Sequence, residues 1–128
     1  MLKDAEYIRL PEGGPIVMNF INAVVSVRND ELEAMLAAFR RGEGYALNDD
    51  VMCCFAAEVP ESDPEYFGEI GVAVYYGRPV RDELTIVLLE EHEFFALTAE
   101  VILRRQEDFA PARFEALKEL LAELCEKM

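Results

Sequence analysis

The chain has 128 residues, 52% hydrophobic and 30% charged, a globular balance that excludes disorder and suffices for one core burying about two-thirds of the unfolded chain's surface. Its 26 acidic residues against 12 basic ones leave a net charge of −14, which argues against direct binding of nucleic acid or anionic membrane, both of which want a basic surface. No apolar run approaches the roughly 18 residues of a membrane span, and the opening "MLKDAEYIRLPEGG" lacks the apolar core of a secretory signal, so a cytoplasmic protein is expected.

After an exposed start, "PEGGPI" offers Gly14 as a cap and Pro15 at the first helical position, predicting a helix over Ile16 to Val27. "NDELEAMLAAFRRGEG" sets Asp30 three residues before Glu33 in capping-box spacing, with Leu32, Met35, Leu36 and Phe39 on one face and Gly42 as the stop. That is a second helix. "NDDVMCCFAAEVP" reads as a short third helix, opened by Asp49 or Asp50 and closed before Pro60, and the loop "PESDPEY" follows.

From Tyr66 the period changes to two, with Ile70, Val72, Val74 and Tyr76 alternating with Gly71, Ala73 and Tyr75 in a strand. "GRPVRD" is a turn and "ELTIVLLE" a second strand whose near-continuous apolar run predicts burial on both faces. The short linker makes the pair an antiparallel hairpin, and two strands alone are marginal in water, so helices must cover at least one face. Helical spacing returns at Glu91, where Phe94, Phe95, Leu97, Val101 and Ile102 form a stripe up to Arg104 and Arg105. Pro111 starts a last helix, with Phe109 and Phe114 placed as a hydrophobic staple and Phe114, Leu117, Leu121 and Leu124 along one side. The expected fold is α+β in the order ααα-ββ-αα, helices packed on a central antiparallel β-hairpin, with residues 1–128 as one domain.

Little in the chain carries catalytic chemistry. The only histidine, His92 in "EEHEFFAL", stands where a zinc protease would need H-E-x-x-H, but Ala96 occupies the second histidine's place. Glu90, Glu91 and Glu93 lie at a predicted helix N-terminus, where the helix dipole favours them without any metal, and His92 is expected to be exposed. Cys53 and Cys54 fall mid-helix, at least one of them facing the core as a small hydrophobe, and Cys125 continues the last helix. Three cysteines, two of them adjacent, predict no structural disulfide. Ser26 and Ser62 sit in no G-x-S-x-G elbow, and the paired glycines of "PEGGP" and "RRGEGY" carry no phosphate-loop pattern. The chain is therefore read as a non-enzyme, with no catalytic residue, metal or cofactor.

The charge is concentrated. From Glu43 to Glu100 there are 14 acidic residues and only two basic ones, Arg78 and Arg81, a net of −12 in less than half the chain. Clustered like charges repel, a cost that a basic partner would offset while being steered to its site. Tyr66 and Phe67 follow "ESDPE", and Tyr75 and Tyr76 lie near the hairpin tip on opposite strand faces, so one is expected in the core and the other free as an interface anchor. The candidate partner-binding residues are Asp49, Asp50, Glu58, Glu61, Asp63, Glu65, Tyr66, Glu69, Tyr75, Asp82, Glu83, Glu90 and Glu91. Such a surface suits an inhibitor of a nuclease, laying carboxylates where phosphates would lie.

"EYIRLPEGGPI", "AFRRGEGY", "EYFGEIGVAVYYG" and "ELTIVLLEEHEFFAL", spanning Glu6 to Arg105, resemble the immunity proteins of bacterial contact-dependent growth inhibition, in particular the group that neutralises ribonuclease toxins. The resemblance implies a cytoplasmic, stoichiometric antidote without cofactor that binds the basic nuclease domain of a cognate toxin. It implies no individual contacts, because such families vary most where they touch the toxin. The chain departs from the pattern at "YYGRPVRDE", where Arg78 and Arg81 replace an acidic turn. The predicted apolar faces are all absorbed by one core, which predicts a monomer. Two other classes stand beside this one: an acidic adaptor or nucleic-acid mimic with no toxin partner, and a small enzyme using clustered carboxylates and a divalent metal.

Overall fold

The computed structural model of the chain describes residues 2–77 and 84–126. A five-stranded mixed sheet forms its centre: β1 (Ala5–Ile8), β2 (Tyr45–Ala46), β3 (Val51–Phe55), β4 (Val72–Tyr76) and β5 (Leu84–Leu89), in the spatial order β1-β5-β4-β3-β2. β1 runs parallel to β5, and the other three pairings are antiparallel. Four helices, α1 (Gly14–Val27), α2 (Leu32–Arg40), α3 (Glu91–Arg104) and α4 (Pro111–Glu126), lie on one face of this sheet.

The expected order ααα-ββ-αα around a two-stranded hairpin is overturned. Residues 51–55 are not a helix but β3, paired with β4 on one side and β2 on the other. The residues explain it. Val51, Cys53 and Phe55 are buried toward the helices while Met52 and Cys54 point the other way, a period of two that a five-residue apolar run shares with a helical fragment. Pairing also decides it, because a helix here would leave β4 with an unpaired edge. A second strand, β1, stands where only an exposed start was expected, and it converts the antiparallel hairpin into a mixed sheet. Cys53 and Cys54 accordingly sit on a strand, the first buried and the second half-buried.

The other elements agree with the periodicity. β4 and β5 pair antiparallel from Val72–Leu89 to Tyr76–Thr85, and Thr85 to Leu89 are all buried, as a strand covered on both faces must be. The loop joining them lies outside the described residues. α1 begins at Gly14 with Pro15 in its first turn, and the preceding Gly13 is needed for close packing, since a Cβ there would come within 2.4 Å of Val87 Cγ1. α2 departs from its expected capping box: Asp30 lies in a 3-10 turn over Asn29–Glu31, and Glu33 instead receives two hydrogen bonds from Arg113, at 2.9 and 2.8 Å. Phe109 and Phe114 stack at 6.3 Å across the start of α4, the staple that Pro111 suggested.

The main core lies between helices and sheet. Phe39, Phe94 and Phe95 from the helices meet Phe55 of β3 at ring separations of 5.8 to 6.1 Å, and Phe39 meets Phe94 at 5.0 Å, tilted or edge-on as aromatic quadrupoles prefer. Burying each such ring removes about 150–250 Å² from water, so this cluster dominates the stability. Arginines tie the layer at its rim: Arg105 donates to the Asn22 carbonyl and Ser26 Oγ of α1, Arg40 pairs with Glu123 of α4, and Arg113 donates to Asn29 and Glu33. Among the described residues no helix is long and apolar enough to cross a membrane.

Candidate functional site

Among the described residues no helix lies on the opposite face of the sheet. Tyr7, Ile86, Tyr75, Met52 and the exposed Ala46 stand in one row across all five strands, as the pairing registers dictate, and the first four of these with Ala73 and Leu88 belong to a second, smaller apolar cluster. Among the described residues, the loop between β3 and β4, through Phe67, and Leu2 near the N-terminus pack against it from outside the sheet. The backbone N–H of Leu2 donates to the Tyr7 hydroxyl at 2.9 Å, which holds the N-terminal segment at the sheet's edge.

Between these two coverings lies a cleft of about 760 Å³. Its floor is Met52, Tyr75 and Leu84, and its walls are Leu2 to Glu6 on one side and Asp49, Asp50 and Glu65 on the other. Five acidic residues thus line it, although the register of Glu6 with Thr85 and Tyr76 turns the Glu6 side chain toward the helical face, and Lys3 is the one basic residue lining it among those described. Local structure sets the acidic wall: Asn48 Oδ1 accepts from the N–H groups of Asp50 and Val51, and Asp63 Oδ1 accepts from Glu65 N–H, each a side-chain turn that fixes the backbone of the acid beside it. Tyr75 is only 6% exposed, and burial first, then the nearby Glu65 carboxylate, holds its hydroxyl protonated well above the ordinary phenol range. Burial, then the Glu58 and Glu65 carboxylates, likewise pushes the Cys54 thiol up to about 11, so it stays a neutral, unreactive neighbour.

The thirteen candidate residues separate. Asp49, Asp50, Glu65 and Tyr75 converge on the cleft. Glu58 is engaged by the fold, its Oε1 accepting from the N–H groups of Gly44 and Phe55 and so joining β2 to the end of β3. Asp63 serves the turn just described. Glu90 lies at the start of α3, where its N–H donates to Glu93 and its Oε2 stands 3.2 Å from Nδ1 of the exposed His92. Glu90 and Glu91 line a separate shallow hollow of about 310 Å³ with Ile70, Gly71 and His92, and Glu69 adjoins it in the chain. Glu61 is exposed and Tyr66 half-buried in the β3–β4 loop. Asp82 and Glu83 lie outside the described residues. Of the tyrosine pair neither is free: Tyr75 is buried in the second cluster and Tyr76 packs half-buried on the main core.

Sequence reasoning missed Asp4, because it falls outside the acidic middle segment and is brought beside the cleft by the parallel pairing of the adjoining β1 with β5. The alternation in "AEYI" was the available signal. The acids are spread around the cleft rather than gathered: among the described residues no three His, Cys, Asp or Glu side chains converge as a metal site would require. What this arrangement offers chemically is a hollow of hydrogen-bond acceptors and negative potential over an apolar floor, suited to a cationic group with an apolar stem.

No curated protein and no solved structure matches the chain. A family model described as CDI immunity protein does match, over residues 17–102, which is about two-thirds of the chain and runs from α1 through nearly all of α3. β1 and α4 lie outside that span. The chain belongs to the family of CDI immunity proteins, the antidotes that neutralise the toxins of contact-dependent growth inhibition.

Proposed function

We propose that the toxin this immunity protein neutralises is a nuclease, specifically a ribonuclease, and that the acidic open face of the sheet is the surface that meets it. The observation that carries the reading is the cleft, which acidic residues line around an apolar floor. A nuclease must present cations to hold phosphates, so a surface of this sign and concavity is its natural complement. Charge distribution supports the same side of the molecule: none of the ion pairs among the described residues includes Asp4, Glu6, Asp49, Asp50 or Glu65. Residues 1–128 act as one domain and, before the toxin arrives, as a monomer in the cytoplasm. The exposed large apolar side chains among the described residues are Val27, Ile70 and Leu103, a scatter that does not ask for self-association.

The test is stoichiometric inhibition of RNA cleavage by the purified cognate toxin domain, with association rates measured between about 0.01 and 1 M salt, over which the screening length falls from roughly 30 to 3 Å. Association should slow by at least about tenfold across that range. A toxin that cleaves no nucleic acid, or a rate indifferent to salt, would sink the reading.

A further inference from the structure

We infer that β1 is a docking edge for the toxin, which adds an extended, basic segment of its own chain to the sheet as a sixth strand. This rests on the family, which supplies the toxin, and on the reading that the toxin's surface is basic. β1 stands first in the order β1-β5-β4-β3-β2 and pairs with β5 alone, so its far side is a sheet edge. Alternate residues of such a strand turn their N–H and C=O groups away from its one neighbour, so four residues offer about two donors and two acceptors. Among the described residues no turn, cap or side chain bonds to the main chain of Ala5–Ile8 on that side.

The sheet's two edges are built differently, and the difference singles out β1. At the other edge β2 has only two residues, Tyr45 and Ala46, and the chain around it closes on itself. Glu58 Oε1 accepts from the N–H groups of Gly44 and Phe55, and the N–H groups of Leu47 and Asn48 turn back to the Val51 carbonyl. A short, internally capped strand is how native sheets keep an edge from recruiting another chain. β1 lacks those guards. Its four residues hold no proline or glycine, and their register with β5 runs unbroken from Ala5–Leu84 to Ile8–Val87.

Charge at this edge selects the occupant. Glu6 is exposed within the strand and Asp4 is exposed just before it, and neither belongs to an ion pair among the described residues. A second copy of the chain would bring the same two acids to the seam and a net charge of −14 with them, and like charges across a strand pair are destabilising. A strand carrying lysine or arginine gains where the copy loses, because a cation opposite Glu6 makes a favourable cross-strand pair. Alternation then assigns the added strand's two sides. Ala5 and Tyr7 belong with the open-face cluster, so residues beside them extend that apolar row, while those on the Glu6 side are basic. The edge also adjoins the cleft, whose lining runs from Leu2 to Glu6, so a toxin seated on the open face reaches it. Main-chain bonds would supply the grip and the alternating side chains the selectivity.

The experiment is amide hydrogen exchange, followed by NMR, on the full chain alone and saturated with the purified cognate toxin domain. Alternate amides of β1 should exchange at least about tenfold more slowly in the complex, against less than about twofold for Tyr45 and Ala46 at the other edge. A proline series, Ala5→Pro, Glu6→Pro and Tyr7→Pro, supplies the second measurement. Where the N–H faces β5 the free chain should lose stability; where it faces outward the chain should stay folded and bind the toxin about tenfold more weakly. Unchanged β1 exchange in a complex that still forms, or full affinity in every folded proline variant, would each overturn the strand addition. Both results leave the acidic-face reading standing, since that reading fails only if toxin association is indifferent to salt or the toxin is no nuclease.

Discussion

On one side of the sheet Val51, Cys53, Phe55, Val72, Val74, Val87 and Leu89 are sealed under four helices; on the other, Tyr75, Ile86, Ala73 and Leu88 are covered, among the described residues, by a loop and the N-terminal segment. The cations differ in the same way. Arg28, Arg40, Arg104, Arg105, Arg113 and Lys118 of the helical side each pair with an acid, whereas the carboxylates around the cleft have no such pairing among the described residues. One face has been made neutral and apolar and carries the stability. The other retains unneutralised charge, whose mutual repulsion costs stability.

The contrast predicts that damage to the two faces will be read by different instruments. Phe94, fully buried and in ring contact with Phe39, Phe55 and Phe95, should lose about 3–5 kcal/mol of stability on truncation to alanine, seen as a lower urea midpoint at unchanged slope. Next comes Gly71, where the chain enters β4 with φ of +105° and a Cβ would stand 2.8 Å from the Leu89 carbonyl oxygen. Gly71→Ala should cost about 1–3 kcal/mol through strain, and it should loosen the β4–β5 pairing in hydrogen exchange.

A smaller effect belongs to the Arg113–Glu33 pair that ties α4 to α2. The Arg113 hydrogen bonds hold the Glu33 carboxyl below its ordinary range, so the pair's contribution is present above the unfolded carboxyl value near 4.5 and is lost as pH falls through the lowered folded value. Because Glu33 is well exposed, a double-mutant cycle should give about 0.2–1 kcal/mol at neutral pH, shrinking toward zero in acid. A coupling that persists at pH 2 would show that the contact is not ionic. The smallest change is expected on the open face. Asp50→Asn with Glu65→Gln should move stability by no more than about 0.5 kcal/mol, slightly upward at low salt because repulsion is relieved. Marked destabilisation there would break the comparison, making those acids part of the scaffold.

Much of the helical face was legible in the chain itself. Leu32, Met35, Leu36 and Phe39, the Phe94 to Ile102 stripe and the Phe109–Phe114 staple are all local patterns, readable within one or two turns. The open face was not. Glu58, Asp63 and Glu90 carry the same charge as Asp50 and Glu65, yet the fold engages the first three in turns and a helix start and leaves the others to the cleft. Nothing in their immediate neighbours distinguishes the two groups, because the distinction depends on which strand ends meet in space.

The sequence by itself determined the four helices, the β4–β5 hairpin, the charge imbalance and a resemblance that the family match confirms. Each follows from local spacing or from composition, which need no partner to be read. Only the tertiary structure decided that "VMCCF" is a strand, that "AEYI" joins the same sheet by pairing with β5, and that Asp4 therefore lies with Asp49, Asp50 and Glu65 along the cleft that Tyr75 lines. The physical reason is that a strand's hydrogen bonds are all made to other segments, so a short apolar run becomes a strand only when an unpaired edge is waiting for it.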